Sequence, residues 1–239
     1  MLQRLDKIIA SQGAYTRSQA QKLIKSGAVC VDGISVRDRG FRLDADKSSV
    51  TVNGEPFEVK RFVYIMLNKP KGVVSASSDS REKTVIDLVP PELRRRNLFP
   101  AGRLDMTTTG FVLITDDGDF AHRILAPKSH IEKTYEARLA EPISDESLER
   151  VAEGIVLSDG TECMPAKLKR LADGENPLIE IKICEGKYHQ IKRMFAAVGN
   201  GVIELKRTQM GAVKLDDSLK EGECRLMSEK EVADVELRV

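Results

Sequence analysis

The chain has 239 residues, and 41% of them are apolar, which is enough to form the core of one large domain or two smaller ones. Its 38 basic and 37 acidic residues leave a net charge of +1 at pH 7, so the whole chain is not a polycation. A nucleic-acid face would need local clustering of basic residues. The four cysteines form no C-x-x-C pair, which argues against a zinc site and fits a reducing compartment: Cys30, Cys163, Cys184 and Cys224.

The first 60 residues are predicted to form a small module of two helices and a β-hairpin. Apolar residues at helical spacing predict a first helix that ends near Gly13: Leu2, Leu5, Ile8 and Ile9. Thr16 is the predicted N-cap of the second helix, and Gly27 is its predicted end. Alternating valines around the turn signal Asp32-Gly33 predict the hairpin. Eight basic and three acidic residues within residues 1–42 make this module locally positive.

Residues 61–239 are predicted to form a second, larger domain after a linker near residues 58–61. Alternating apolar residues predict strands at residues 63–67, 135–139 and 179–183. Helices are predicted at residues 85–88, 144–154 and 190–198, and a loop at residues 68–72. The strands outnumber the helices and do not alternate with them. This pattern favours an α+β fold, with a mixed, mainly antiparallel sheet and flanking helices.

The segment from Ala101 to Gly118 reads AGRLDMTTTGFVLITDDG and contains the first candidate for chemistry. Asp105 lies between Gly102 and Gly110, directly before an apolar run, so a carboxylate is predicted at a loop–strand junction. A buried charge of this kind needs a partner of opposite charge. Taken alone, however, an Asp beside Gly is at least as often a turn residue that caps a strand.

Four short segments in the first quarter of the chain form a recognisable series: RLDK at 4–7, TRSQA at 16–20, Ile24 with Gly27, and VCVDG at 29–33. In these residues the module resembles the S4 RNA-binding domain. The resemblance implies binding of structured RNA, through phosphate contacts that weaken as salt rises. The alternative is a solvated basic face. Five basic residues are the candidates for RNA contacts: Arg4, Lys7, Arg17, Lys22 and Lys25.

Further segments follow in order along the remaining chain: NKPKG at 68–72, GRLD at 102–105 with TTG at 108–110 and TDDG at 115–118, EKTY at 132–135, and EGKYHQIKRMF at 185–195. Together they resemble the pseudouridine synthases, in the form found in the ribosomal small-subunit branch. Several separated motifs in order are much stronger than one short match. With the S4 module, the resemblance covers nearly the whole chain.

The resemblance implies isomerisation of uridine within RNA, without redox change, so no cofactor and no metal are expected. Asp105 would be the catalytic carboxylate, which either attacks C1′ or removes the C2′ proton. Lys192 matches the family's basic residue, often Arg, that keeps the aspartate ionised. Tyr135 would stack on the uracil and help to remove the C5 proton. Arg103 would hold the target nucleotide out of its stack, whereas His189 is interpreted as structural or RNA-facing.

The branch implies one uridine of 16S ribosomal RNA as the substrate, uridine 516, either in free RNA or in a small-subunit assembly intermediate. A cytoplasmic location is expected, because the sequence shows no signal peptide and no stretch long enough to span a membrane. A monomer is expected, because no exposed heptad pattern or large apolar patch is evident. Three alternatives stay open: the same chemistry on 23S RNA, a noncatalytic S4-type RNA-binding or assembly protein, and a hydrolytic glycosidase. The glycosidase would need a second carboxylate as acid, and no convincing one accompanies Asp105.

Overall fold

The computed structural model describes residues 2–45 and 47–237, which form two compact units. The first unit comprises the described residues up to Val63 together with Pro90–Leu98, and the second comprises Tyr64–Val89 and the described residues from Phe99 onward. The predicted α+β class, with two helices and a hairpin ahead of a mixed, mainly antiparallel sheet, is confirmed. The division into domains at residue 60 stays a prediction.

The first unit contains two helices, α1 (Leu5–Ser11) and α2 (Arg17–Ser26). Its strands are β1 (Leu2–Arg4), β2 (Val29–Val31), β3 (Ile34–Ser35), β4 (Arg42–Asp44), β5 (Val50–Val52) and β6 (Glu55–Pro56). Strand β1 pairs with β4, and the others form a sheet in the order β3-β2-β5-β6. The prediction that Leu2 belongs to the first helix is wrong. Leu2 lies in a strand, because pairing with Asp44 holds this segment extended.

Local signals decide where the elements of the first unit begin and end. Thr16 Oγ1 accepts a hydrogen bond from the backbone N–H of Gln19, and the Gln19 side chain accepts one from the N–H of Thr16. This reciprocal capping box satisfies two amides that the helix itself leaves free. Gly27 ends α2 in the left-handed conformation, with φ 82°. Asp32 and Gly33 both have positive φ, as a two-residue hairpin turn requires. The predicted N-cap, helix end and hairpin are confirmed.

The second unit is built on a sheet in the order β11-β12-β10-β13-β9-β7-β15. Its strands are β7 (Tyr64–Lys69), β8 (Phe99–Ala101), β9 (Thr109–Thr115), β10 (Lys133–Leu139), β11 (Lys167–Ala172), β12 (Leu178–Ile183), β13 (Val202–Met210), β14 (Val213–Lys214) and β15 (Cys224–Leu226). Its helices are α3 (Gly118–Leu125), α4 (Asp145–Ala152), α5 (Gln190–Ala197) and α6 (Glu229–Val235). Strands β9 and β13 are parallel, and the other described pairs in this sheet are antiparallel.

The core of the second unit fixes β9, which follows the Asp105 segment. Phe111 and Leu113 of β9 are fully buried in one cluster with Phe120 and Ile124 of α3. Burying each such side chain is worth roughly 1.5–3 kcal/mol. The carboxylate of Asp117 caps α3 by accepting from the N–H of Phe120. The strand after Asp105 is therefore rigidly packed.

No helix in the described part of the chain is long and apolar enough to cross a membrane.

The prediction of a short helix at residues 85–88 is wrong. This segment forms two successive turns, closed by hydrogen bonds from Asp87 N to Thr84 O and from Val89 N to Ile86 O. The pair Pro90-Pro91 follows directly. Proline has no amide to donate and disfavours helical backbone in the residue before it, so the turns cannot continue as a helix.

Candidate active site

Asp105 lies in the loop between β8 and β9, and hydrogen bonds fix this loop. The backbone oxygen of Asp105 accepts from the N–H of Thr108 at 3.0 Å. Ser75 Oγ donates to the oxygen of Leu104 at 2.9 Å and accepts from its N–H at 3.1 Å. The Asp105 side chain is 31% exposed, so it stands at the mouth of a cleft rather than in the core. The carboxylate is thus held in place and still open to a substrate.

Lys69 holds the Asp105 loop through hydrogen bonds from its ammonium group. The sequence predicted that Lys69 itself lies in a loop, but it lies in a strand. It is the last residue of β7 and is fully buried. Its ammonium donates to the backbone oxygens of Pro70, Asp105, Met106 and Thr108, at 2.9–3.3 Å. Three protons are shared among four acceptors. Burial lowers the pKa of Lys69 to about 8. The one feature of the sequence that could have indicated this buried position is that Lys69 follows an alternating apolar strand.

Two side chains from the start of α5 contact the two oxygens of Asp105. Lys192 Nζ lies 3.7 Å from Oδ2, and His189 Nε2 lies 3.5 Å from Oδ1. Lys192 also donates to Thr107 Oγ1 at 2.6 Å. All three members of this cluster are partly exposed, and an exposed ion pair stabilises a fold by only about 0–1 kcal/mol. The cluster therefore orients the carboxylate more than it stabilises the protein. It brings the predicted partner Lys192 to Asp105.

The turn before α5 explains how His189 reaches Asp105. The Gln190 side chain accepts from the N–H of Lys187 at 3.0 Å and donates to Glu185 at 2.5 Å, which closes the turn. His189 has φ 48°, in the left-handed region that non-glycine residues seldom adopt. Such backbone costs on the order of 1 kcal/mol or more, and residues held in it cluster at functional sites. Sequence reasoning placed His189 near RNA but missed its contact with Asp105.

Tyr135 and Arg103 line the same cleft as Asp105. Tyr135 is 7% exposed and lies where the pairing of β10 with β13 shifts by one residue after Thr134. A bulge of this kind redirects a side chain. The guanidinium carbon of Arg207 lies 6.0 Å from the centre of the Tyr135 ring, and Arg207 donates to a backbone oxygen of β9 at 2.7 Å. Arg103 is exposed at the mouth of the cleft.

Gly110 allows β9 and β13 to meet beside the cleft. It has φ +96°, and a Cβ added there would lie 2.2 Å from the backbone oxygen of Arg207. No other residue type fits so close an approach without moving the backbone. Glycine at this point therefore permits the parallel pairing that carries Asp105 and Tyr135 into one site.

The predicted RNA-binding cations of the first unit divide into two groups. Arg4 and Arg17 both contact Asp6, whose side chain is fully buried, at 3.0 and 3.1 Å. Burial alone would raise the pKa of Asp6, but hydrogen bonds from Gln21, Arg4 and Arg17 outweigh it and lower the pKa to about 2. These two arginines therefore also hold the fold. The other group is exposed on the helices: Lys7, Lys22 and Lys25.

Within residues 2–45 and 47–237, no group of three His, Cys, Asp or Glu side chains is placed to hold a metal ion. The cleft itself offers a carboxylate, a phenol and cations. Asp105 can act as a nucleophile or a base, and Tyr135 can stack on a planar ring and exchange a proton. The exposed guanidinium of Arg103 can contact a phosphate or a base.

Comparisons with known proteins show what this chain is similar to. The S4 domain model matches residues 3–48, and the RNA pseudouridylate synthase model matches residues 63–197. A Bacillus subtilis protein described as "Uncharacterized RNA pseudouridine synthase YtzG" is 46% identical, over 96% of each chain. "Ribosomal small subunit pseudouridine synthase A" from Vibrio cholerae is 42% identical and that from Escherichia coli 41%, each over 97% of this chain and 99% of the relative.

A solved structure entitled "Crystal structure of pseudouridylate synthase" is 41% identical to this chain and superposes with a TM-score of 0.68, covering 97% of this chain and 99% of that one. The two family models match successive parts of the chain, and the relatives and the solved structure cover 96–97% of it. The chain therefore belongs to the RNA pseudouridine synthases, as an isomerase of the ribosomal small-subunit branch with an N-terminal S4 domain.

Proposed function

We propose that this enzyme converts one uridine of 16S ribosomal RNA to pseudouridine, with Asp105 as the catalytic carboxylate. The observation that carries the proposal is the cleft in which Asp105 meets Tyr135 and Arg103, while Lys192 and His189 contact its two oxygens. The choice of 16S RNA is supported by the relatives named for the ribosomal small subunit. Uridine 516 is the proposed target. We also propose that the enzyme acts in the cytoplasm as a monomer.

The reaction is an isomerisation in which every atom is retained. The N1–C1′ bond breaks and its electron pair leaves with the uracil, which then turns so that C5 bonds to C1′. The C5 proton is lost and N1 gains one. Asp105 either attacks C1′ or removes the C2′ proton, and both routes need the ionised carboxylate. Lys192 places a positive charge 3.7 Å from Oδ2 of that carboxylate. Tyr135 stacks on the uracil and helps to take the C5 proton.

The target uridine must leave the RNA stack before it can enter the cleft. Extrusion of a base costs on the order of a few kcal/mol, which new contacts have to offset. Arg103 is exposed at the mouth of the cleft, which supports its proposed role of holding the nucleotide outside its stack. Phosphate contacts by the exposed lysines of the first unit, here called the S4 unit, would bring the RNA to the enzyme, with an affinity that falls as salt rises.

The decisive test of the mechanism is Asp105→Asn. We expect this variant to keep its fold and its RNA affinity and to lose pseudouridine formation by on the order of 10⁴-fold or more. Asp119→Asn is the matched control, because Asp119 is exposed on α3 and lies outside the cleft. Retained activity in Asp105→Asn would overturn the assignment.

The substrate is tested by mapping pseudouridine in 16S and 23S ribosomal RNA from cells with and without the gene. We expect one site to disappear, at uridine 516 of 16S RNA. Loss of a 23S site instead would assign the same chemistry to the large subunit. An unchanged map would support a noncatalytic RNA-binding or assembly protein, and release of free uracil by the pure enzyme would indicate a hydrolase.

A further inference from the structure

Tyr188 is an exposed aromatic side chain beside the cleft, with 72% of its surface accessible. Its ring stacks on the imidazole of His189, with centroids 3.9 Å apart and planes inclined by 15°. His189 in turn contacts Asp105, with Nε2 3.5 Å from Oδ1. The neighbours of Tyr188 in the chain, Lys187 and His189, both line the cleft. Two stacked rings thus lead from the carboxylate out to solvent.

The segment that carries this stack is anchored before any RNA arrives. Lys187 donates to the backbone oxygen of Glu162 and pairs with Glu185. Arg193 donates to the backbone oxygen of Tyr188 at 3.4 Å and pairs with Asp159 at 2.5 Å. Lys187, directly before Tyr188, and Arg193, five residues after it, are therefore tied to Glu162 and Asp159. A ring that is already oriented loses little entropy when a ligand stacks on it.

A single exposed apolar side chain needs no special explanation on most surfaces. Tyr188 differs because its ring is held flat against a second ring that itself touches the candidate catalytic carboxylate. One ring face is covered by His189, and the high exposure of the side chain leaves the other accessible. Base–aromatic stacking is tolerant of sequence because every nucleobase has a π-face.

We propose that Tyr188 is a stacking platform for the unpaired base next to the target uridine. The proposal rests on the proposed function, because extrusion of the target uridine removes one stacking partner from each of its neighbours. A neighbouring base placed on the outer face of Tyr188 regains that partner while the uridine reaches Asp105. Tyr188 then helps the enzyme to hold the opened RNA.

The chain contains no tryptophan, so Tyr188→Trp introduces a single fluorescent reporter at the platform. The full chain would carry Asp105→Asn as well, so that RNA binds without turnover. The probes are a 16S RNA fragment with the target uridine in a single-stranded loop and two copies with an abasic nucleotide on its 5′ or 3′ side. We expect the intact RNA to quench the tryptophan, and one abasic copy to bind without quenching. Leu171→Trp, exposed on β11, is the control that should not respond.

A second measurement uses Tyr188→Ala and Tyr188→Phe in the otherwise native chain. Loss of one base stack should raise KM for the RNA roughly 5- to 100-fold with a smaller change in kcat, and Phe should restore the native KM. Equal quenching by all three RNAs, or a native KM in Tyr188→Ala, would overturn the platform. If Asp105 were not the catalytic carboxylate, Asp105→Asn would turn over and the quenching pattern would persist. The two failures are therefore distinguishable.

Discussion

Asp6→Asn is expected to destabilise the S4 unit by about 2 kcal/mol at pH 7. The pKa of Asp6 is about 2, against an ordinary value of 3.8. Each pKa unit corresponds to about 1.4 kcal/mol, so the ionised carboxylate contributes about 2 kcal/mol to folding. Because the pKa is lower in the folded state, this contribution is complete above pH 3.8 and is lost as the pH falls toward 2. Asn removes the charge that Arg4 and Arg17 contact.

The assay is urea denaturation of the full chain, followed by circular dichroism at pH 7, 5 and 3. Wild type and Asp6→Asn should differ by about 2 kcal/mol at pH 7, and the difference should narrow by pH 3 as wild type begins to lose the contribution. Asp38→Asn is the matched control, since Asp38 is exposed in the same unit. A difference below about 0.5 kcal/mol at pH 7, or one that does not narrow with acid, would refute the reasoning.

Five further variants test the second unit. Tyr135→Phe should lower kcat by about 10²- to 10⁴-fold in single-turnover assays if its hydroxyl moves a proton, and an unchanged kcat would leave it only a stacking role. Lys192→Met should lower kcat more than Lys192→Arg does, and equal losses would argue against a charge effect on Asp105. Gly110→Ala should lower the free energy of unfolding, measured by urea denaturation, by a few kcal/mol, because its Cβ would lie 2.2 Å from a backbone oxygen. An unchanged free energy of unfolding would show that β9 can shift. Between about pH 8 and 10.5 the unfolded chain holds the Lys69 proton more firmly than the folded chain, so stability should rise with pH there. Lys69→Met should abolish that rise, and a rise that persists would assign it to another group.

Local chemistry made much of the fold predictable from the sequence. The cap at Thr16, the turn at Asp32-Gly33 and the cap at Ser144 each depend on contacts within three residues, and the structure contains all of them. Strand β13 was not predicted, because exposed charged residues interrupt its apolar pattern and only its place in the sheet makes it a strand. Helix α3 was also missed, although Asp117 supplies a cap of the same kind as Ser144.

In the candidate site, too, contacts between distant parts of the chain could not be predicted from the sequence. The motifs led to Asp105, Tyr135 and Lys192, and the structure brings Lys192 into contact with Asp105. They did not reveal that Lys69 is buried, since three of its four acceptors are backbone oxygens of a loop more than 30 residues away. A lysine between polar residues and a proline is typical of a loop, and only the assembled sheet supplies enough acceptors to bury its charge.

The position of β13 sets an order of events during synthesis. This strand comes late in the chain, at Val202–Met210, yet lies between β9 and β10 in the sheet. Before it emerges from the ribosome, β7–β9 and β10–β12 have no described strand to join them, and their inner edges are free to pair with other chains. Asp105 and Tyr135 lie on opposite sides of that gap. A nascent chain can therefore complete the S4 unit early, but it gains an assembled cleft only when nearly nine-tenths of its residues have been made.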